Sequence, residues 1–149
     1  MALWQNTFII IPSESLKIIN EVEFDEDNLF DDSILWKERD YKISSFDSID
    51  LIFTKAESWS ESLLIWGDIH SNCFKVFTEN GEVSSVSFRI DFTSEYEFVL
   101  SEIIQFCIIS NFSILDIELT QIPLNLVSIK ADIDSYNKSN KYIKLLNIK

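Results

Sequence analysis

Side-chain chemistry is densest at Asp25-Glu26-Asp27-Asn28, where three carboxylates and an amide stand in four residues. That is the donor set of a calcium loop, whose template requires Gly at its sixth position and Glu at its twelfth. Counted from Asp25, those positions hold Phe30 and Trp36. The template fails, and a solvated acidic loop is the better account. His70, the chain's one histidine, is expected in a loop beside Asp68, with no partner at metal or general-base spacing. A nucleophilic thiolate would want a histidine or basic neighbour, and the chain offers one His in total, so Cys73 and Cys107 are expected reduced and buried. Asp116 with Glu118, and Asp132 with Asp134, are carboxylate pairs of a kind that any very acidic chain exposes by default. No Ser-His-Asp or Cys-His arrangement can be composed. The reading is therefore a non-enzyme, with no catalytic residue, no cofactor and no metal ligand.

The residues that could carry recognition are acids and large aromatics. Glu21 to Asp32 concentrates seven acids in twelve residues, with no base between Lys17 and Lys37. Phe24, Leu29 and Phe30 are interleaved and would pin the segment to the domain. Trp36 and Trp59 lie beside charged, loop-like sequence, as interface anchors often do. Asp25, Glu26, Asp27, Asp31, Asp32, Trp36 and Trp59 form the expected partner-binding set. The competing accounts are a solvated acidic face, and for each tryptophan burial in a satellite core. Trp4 and Trp66 read as core.

Composition narrows the partner. The formal charge of the 149 residues is −13, and most of the acid excess lies before residue 71. Such a chain is repelled by nucleic acid and anionic membrane and drawn to basic protein surfaces. A 46% hydrophobic content excludes a disordered chain, and two glycines leave no phosphate-cradling loop. No apolar run approaches the roughly 20 residues that span a bilayer, and Phe8 to Ile11 is too short for a signal core. A cytoplasmic location is expected.

The elements that must position these residues read as one α+β domain over 1–149, a mostly antiparallel sheet packed against helices. Leu3 to Ile11 is a first strand stopped by Pro12, then a short helix capped by Ser13 or Ser15. Ile34-Leu35-Trp36 reads as a short strand, and Ile49, Ile52, Phe53 and Ala56 as a helix ending near Glu57. Strands follow from Leu63 to Trp66, through Phe74 and Val76, and from Val83 to Phe92. Apolar parity across Asn80-Gly81 favours a three-residue loop that pairs Phe74 with Val86, leaving Arg89 and Asp91 as a surface ion pair. Ser94 to Glu97 fits a capping box opening a central buried helix from Tyr96 to Ile109. Asn111 is a left-handed cap, Ser113 to Leu119 a last strand, and Pro123 opens a closing helix through Leu126, Ile129, Ile133 and Tyr136. Lys138 to Lys149 reads as a lysine-rich tail docked on the core.

Trp66-Gly67 ending a strand, the hairpin through Asn80-Gly81, Arg89-Ile90-Asp91 and the helix behind it resemble the small acidic immunity proteins of bacterial polymorphic-toxin systems. The Pro123 helix running to Asp134-Ser135-Tyr136, followed by Asn140-Lys141-Tyr142-Ile143, is similar to that class too. The resemblance covers roughly residues 60 to 149 and carries over no catalytic residue. It implies an α+β domain that neutralises a cognate toxin by direct binding, here a basic toxin domain met by the acidic half. The alternatives are a generic interaction or scaffold domain, or a small-ligand-binding domain using an apolar pocket between sheet and helices.

Overall fold

The computed structural model describes residues 5–27, 30–37, 39 and 41–135. Expectations for Trp4, Asn28, Leu29 and the chain from Tyr136 onward lie outside them. The middle of the fold is β1 (Gln5–Pro12), whose Phe8-Ile9-Ile10-Ile11 is apolar at consecutive positions, the pattern of a strand covered on both faces. It runs antiparallel to β5 (Glu82–Asp91) on one side and to β6 (Phe112–Leu115) on the other. Outside these lie β2 (Lys55–Ala56), β3 (Leu63–Gly67), β4 (Cys73–Glu79) and β7 (Gln121–Ile122). The seven strands are ordered β2-β3-β4-β5-β1-β6-β7, and every pairing is antiparallel. Hence β5 and β6 are parallel to each other with β1 between them, and α1 (Glu97–Ser110) makes the crossover. With its helices this is the expected α+β architecture.

The two faces of β1 build two cores. Phe8 and Ile10 join Phe74, Val76, Val86 and Phe88 against Leu100, Ile103, Phe106 and Cys107 of α1 and Ile129 and Ile133 of α2 (residues 126–135). Ile9 and Ile11 join Val22, Leu35, Leu115 and Leu119, with Leu16 and Ile19 packed alongside. This second face is covered by 3-10 segments, Ser13–Glu21 and Asp32–Leu35, rather than by α-helices. A third 3-10 segment, Ile43–Leu51, inserts Phe46 and Ile49 into the first core. Phe46 stacks on Phe112 with centroids 5.8 Å apart and also meets Phe74, Phe106 and Trp36.

The hairpin keeps its expected parity by a different device. Asn80 and Gly81 both have positive φ, 54° and 80°, and close a two-residue turn with Glu79 opposite Glu82. Such a turn alone would set odd residues against even ones. One extra residue restores the match: Thr78 faces Val83 but Phe77 faces Ser85, so Ser84 is a bulge in β5. Phe74 then opposes Phe88 rather than Val86, and Val76 opposes Val86. All four remain buried on the face that α1 covers.

Several local expectations are corrected. The Ser94 to Glu97 capping box does not form, because the Ser94 hydroxyl donates to the Asp91 carbonyl and accepts from Asn72 at 3.0 Å. Glu97 instead meets Lys130 at 2.9 Å. Helix α1 is a covering layer, not a buried centre: Phe98 and Ile109 are exposed. The Ser13 hydroxyl pairs with that of Ser113 and the Ser15 hydroxyl donates to the Leu35 carbonyl, so neither caps its helix. Ile34 and Leu35 belong to a 3-10 turn, not a strand. The helix expected to reach Glu57 stops at Leu51, and Lys55-Ala56 pairs with β3. The strand from Ser113 ends at Leu115, where the Asp116 carboxylate accepts the amides of Glu118 and Thr120 and turns the chain. The closing helix is capped by Asn125, whose side chain accepts the Ser128 amide. Arg89 donates to the Ile69 carbonyl at 2.8 Å, and Asp91 accepts from Ser71 and Thr93, so no Arg89–Asp91 ion pair forms. Asn111 does cap α1 in the left-handed region, at φ 59°.

Two substitutions test this architecture by chemical denaturation. Phe88→Ala removes a ring that is stacked on Phe8 and is expected to cost about 3–5 kcal/mol. Gly67 and Gly81 both have positive φ, yet only at Gly67 would a Cβ collide, 2.5 Å from the Asn72 carbonyl oxygen. Gly81→Ala is expected to cost about 1–2 kcal/mol for left-handed backbone alone, and Gly67→Ala clearly more.

Candidate partner-binding face

The acidic segment is built as an anchored loop. Phe24 and Phe30 form an antiparallel bridge and pack edge to face, centroids 5.1 Å apart. Phe30 leans on the second core, while Phe24 is 45% exposed. Within the loop Asp25 accepts the Asp27 amide at 2.9 Å. Asp31 accepts the Ser33 amide at 2.9 Å, capping the turn that follows, and the hydrogen bonds from Ser33 hold its carboxyl below the ordinary range. Asp32 turns the other way. Its carboxylate accepts the Ser85 hydroxyl at 2.9 Å, and burial pushes its pKa up. This bond clasps the acidic segment to β5 one residue beyond the Ser84 bulge.

Asp31 sits where two open clefts meet. One, of about 420 Å³, is lined by Glu23, Phe24, Asp25, Phe30 and Asp31. The other, of about 380 Å³, runs from Asp31 and Ser33 to Glu79 and Glu82 beside the hairpin turn, with Lys37 as its one cation. The β4–β5 turn thus adds Glu79 and Glu82 to the acids of the loop. Sequence reading missed these two because they lie about fifty residues from the loop. The signal available was their position astride Asn80-Gly81, which had to project from the sheet.

Trp59 and Trp36 part company. Trp59 is 69% exposed, its ring under the Lys75 ammonium at 5.8 Å, in a cleft of about 390 Å³ on the β2–β3 loop. That loop and the β4–β5 turn leave the sheet at the same end, because Leu63 pairs with Phe77. Phe77, 39% exposed, in turn pairs with Ser85, the residue that holds Asp32. Trp59, Phe77 and the acidic loop therefore occupy one end of one sheet face. Trp36 belongs elsewhere. It is 3% exposed, packed on Tyr41, Phe46 and Phe112, with its indole N–H given to the Ile10 carbonyl. Its expected role as an interface anchor is corrected: a core side chain offers nothing to a partner.

His70 is exposed, and its amide donates to Asp68. Cys73 and Cys107 are free and buried, and burial pushes both thiols up, away from nucleophilic character. Among the described residues no three His, Cys, Asp or Glu side chains gather as a metal site. None of their helices is long and apolar enough to cross a membrane. No family model matches the chain, and comparison with curated proteins and with solved structures gave no match.

The Asp32 clasp makes a pH prediction. A carboxyl whose folded pKa lies above its unfolded one destabilises the fold when it ionises. The cost is absent in acid, grows as pH rises through the ordinary carboxylate range, and is complete above the folded pKa. Asp32→Asn keeps an acceptor for Ser85 and is expected to raise the melting temperature at neutral pH, with the gain vanishing in acid. A gain of equal size at both pH values, read by thermal denaturation, would contradict the buried-carboxylate account.

Proposed function

We propose that the protein is a non-enzymatic binding protein of the immunity kind, which neutralises a basic toxin domain by covering it. The observation that carries the reading is the pair of clefts sharing Asp31, flanked at the same sheet end by the exposed rings of Phe77 and Trp59. Carboxylates rim the surface and aromatics stand within it, the arrangement that speeds capture of a basic partner and then holds it. The loop is fixed by the Phe24–Phe30 bridge and the Asp32–Ser85 bond, so little chain entropy is lost on association. A net charge of −13 keeps nucleic acid away from the complex.

The test is affinity capture from the native host followed by co-expression. Neutralising Asp25, Glu26, Asp27, Glu79 and Glu82 as Asn or Gln is expected to slow association at least tenfold without lowering the melting temperature. The parent's on-rate should fall steeply as ionic strength rises past about 0.1 M, where the screening length is about 10 Å. Trp59→Ala should raise the off-rate instead, costing about 2 kcal/mol or more. Equal capture by the neutralised protein would show that the acidic face is not the interface. A captured partner that is harmless to cells lacking this chain would refute the immunity role and leave a scaffold.

A further inference from the structure

The open face of the sheet beyond Phe77 has the opposite character. Cross-strand pairing places Thr7, Arg89 and Cys73 in one row and Ile9, Ser87 and Lys75 in the next. Lys75 and Arg89 are therefore diagonal neighbours on one surface, where like charges oppose each other. Neither forms an ion pair among the described residues. The nearby carboxylates are engaged: Asp32 by Ser85, Asp91 by Ser71 and Thr93, and Asp68 by the His70 amide. Both cations lie close to Cys73, since Arg89 and then Lys75 oppose the upward push of burial on its thiol. In a chain with 25 acids, two neighbouring cations that form no salt bridge among the described residues are a local exception, although the Lys75 ammonium also lies over the Trp59 ring.

The pair also encloses space. A small cavity of about 40 Å³ is lined by Thr7, Cys73, Lys75, Ser87, Phe88 and Arg89. The Arg89 guanidinium is fixed by its bond to the Ile69 carbonyl, and its buried Nε–H has no hydrogen-bond partner among the described residues. A buried donor left unpaired is costly, and one on a guanidinium favours an anionic acceptor. A volume of this size holds one oxygen atom, a water's share of liquid being about 30 Å³. We infer that this face carries an oxyanion site in which Lys75 and Arg89, with the Ser87 hydroxyl, hold one oxygen of a phosphate or carboxylate whose remainder stands in solvent.

The site shares the Lys75 side chain with the Trp59 ring but uses none of the carboxylates of the acidic face, so it can fail or stand without them. Titration of the uniformly ¹⁵N-labelled protein with inorganic phosphate, at a constant ionic strength of about 0.1 M, is expected to give saturable amide shifts confined to Thr7, Cys73, Ser87 and Arg89. Acetate distinguishes a phosphate site, where it fails to shift these amides, from a general carboxylate and phosphate site, where it shifts them too; both outcomes uphold the inference. Lys75→Gln should weaken the response about tenfold, and Arg89→Lys, which keeps the charge but loses the Nε–H, should weaken it as well with the fold intact by melting temperature. Asp25→Asn should leave it unchanged. Absence of saturation, an equal response to chloride, or a Lys75→Gln protein that binds phosphate like the parent would overturn the inference.

Discussion

β1 is enclosed in four directions, by β5 and β6 through hydrogen bonds and by a packed layer on each face. A strand with Phe8 and Ile10 pointing one way and Ile9 and Ile11 the other cannot leave either face to water. The rest of the chain answers that requirement. One side is closed by α1 and α2, from the part of the sequence after residue 96, together with Phe46 and Ile49 of the Ile43–Leu51 segment. The other is closed by the short 3-10 segments Ser13–Glu21 and Asp32–Leu35, joined by Leu119 from beyond β6. The acidic loop is held against that second cover through Phe30, which packs on it.

The loop's fixity comes from what lies behind it. Beyond Ile10 the strand β1 has no partner in β5, and the Ile10 carbonyl at that point accepts the Trp36 indole N–H. Trp36 is wedged there by Tyr41, Phe46 and Phe112. One residue earlier, Leu35 is buried in the opposite core and accepts the Ser15 hydroxyl. Asp31 and Asp32 open the short turn that ends in these two anchors, so the carboxylates inherit a geometry set by core packing. The tryptophan serves the face from behind rather than from within it.

Much of this was legible from the residues. The consecutive apolar run of β1 and the left-handed Asn111 each obey a local rule with one solution, and the even-numbered apolar set of the hairpin names its buried face. What was hidden is what local rules leave degenerate. The parity of Phe74, Val76, Val86 and Phe88 could be met by a longer turn or by an inserted residue, and only the fold selects the Ser84 bulge. Ser94 and Glu97 satisfied a capping pattern, but Asn72 and Lys130, distant in sequence, offered better partners. Trp36 and Trp59 stand in similar polar surroundings along the chain, and three-dimensional packing buries one and exposes the other. The contribution of Glu79 and Glu82 depends on a juxtaposition that no window of sequence contains.

The two sheet edges set what kind of association is open to this molecule. A free strand is a template for another chain's backbone, and long exposed edges lead to uncontrolled polymerisation. Here both outer strands, Lys55–Ala56 and Gln121–Ile122, are two residues long. Beside the first, the amides of Leu63 and Gly67 are already taken by Ser60 and Thr54. Little continuous main chain is left on offer. Association through an added strand therefore has little main chain to use at either of these two edges.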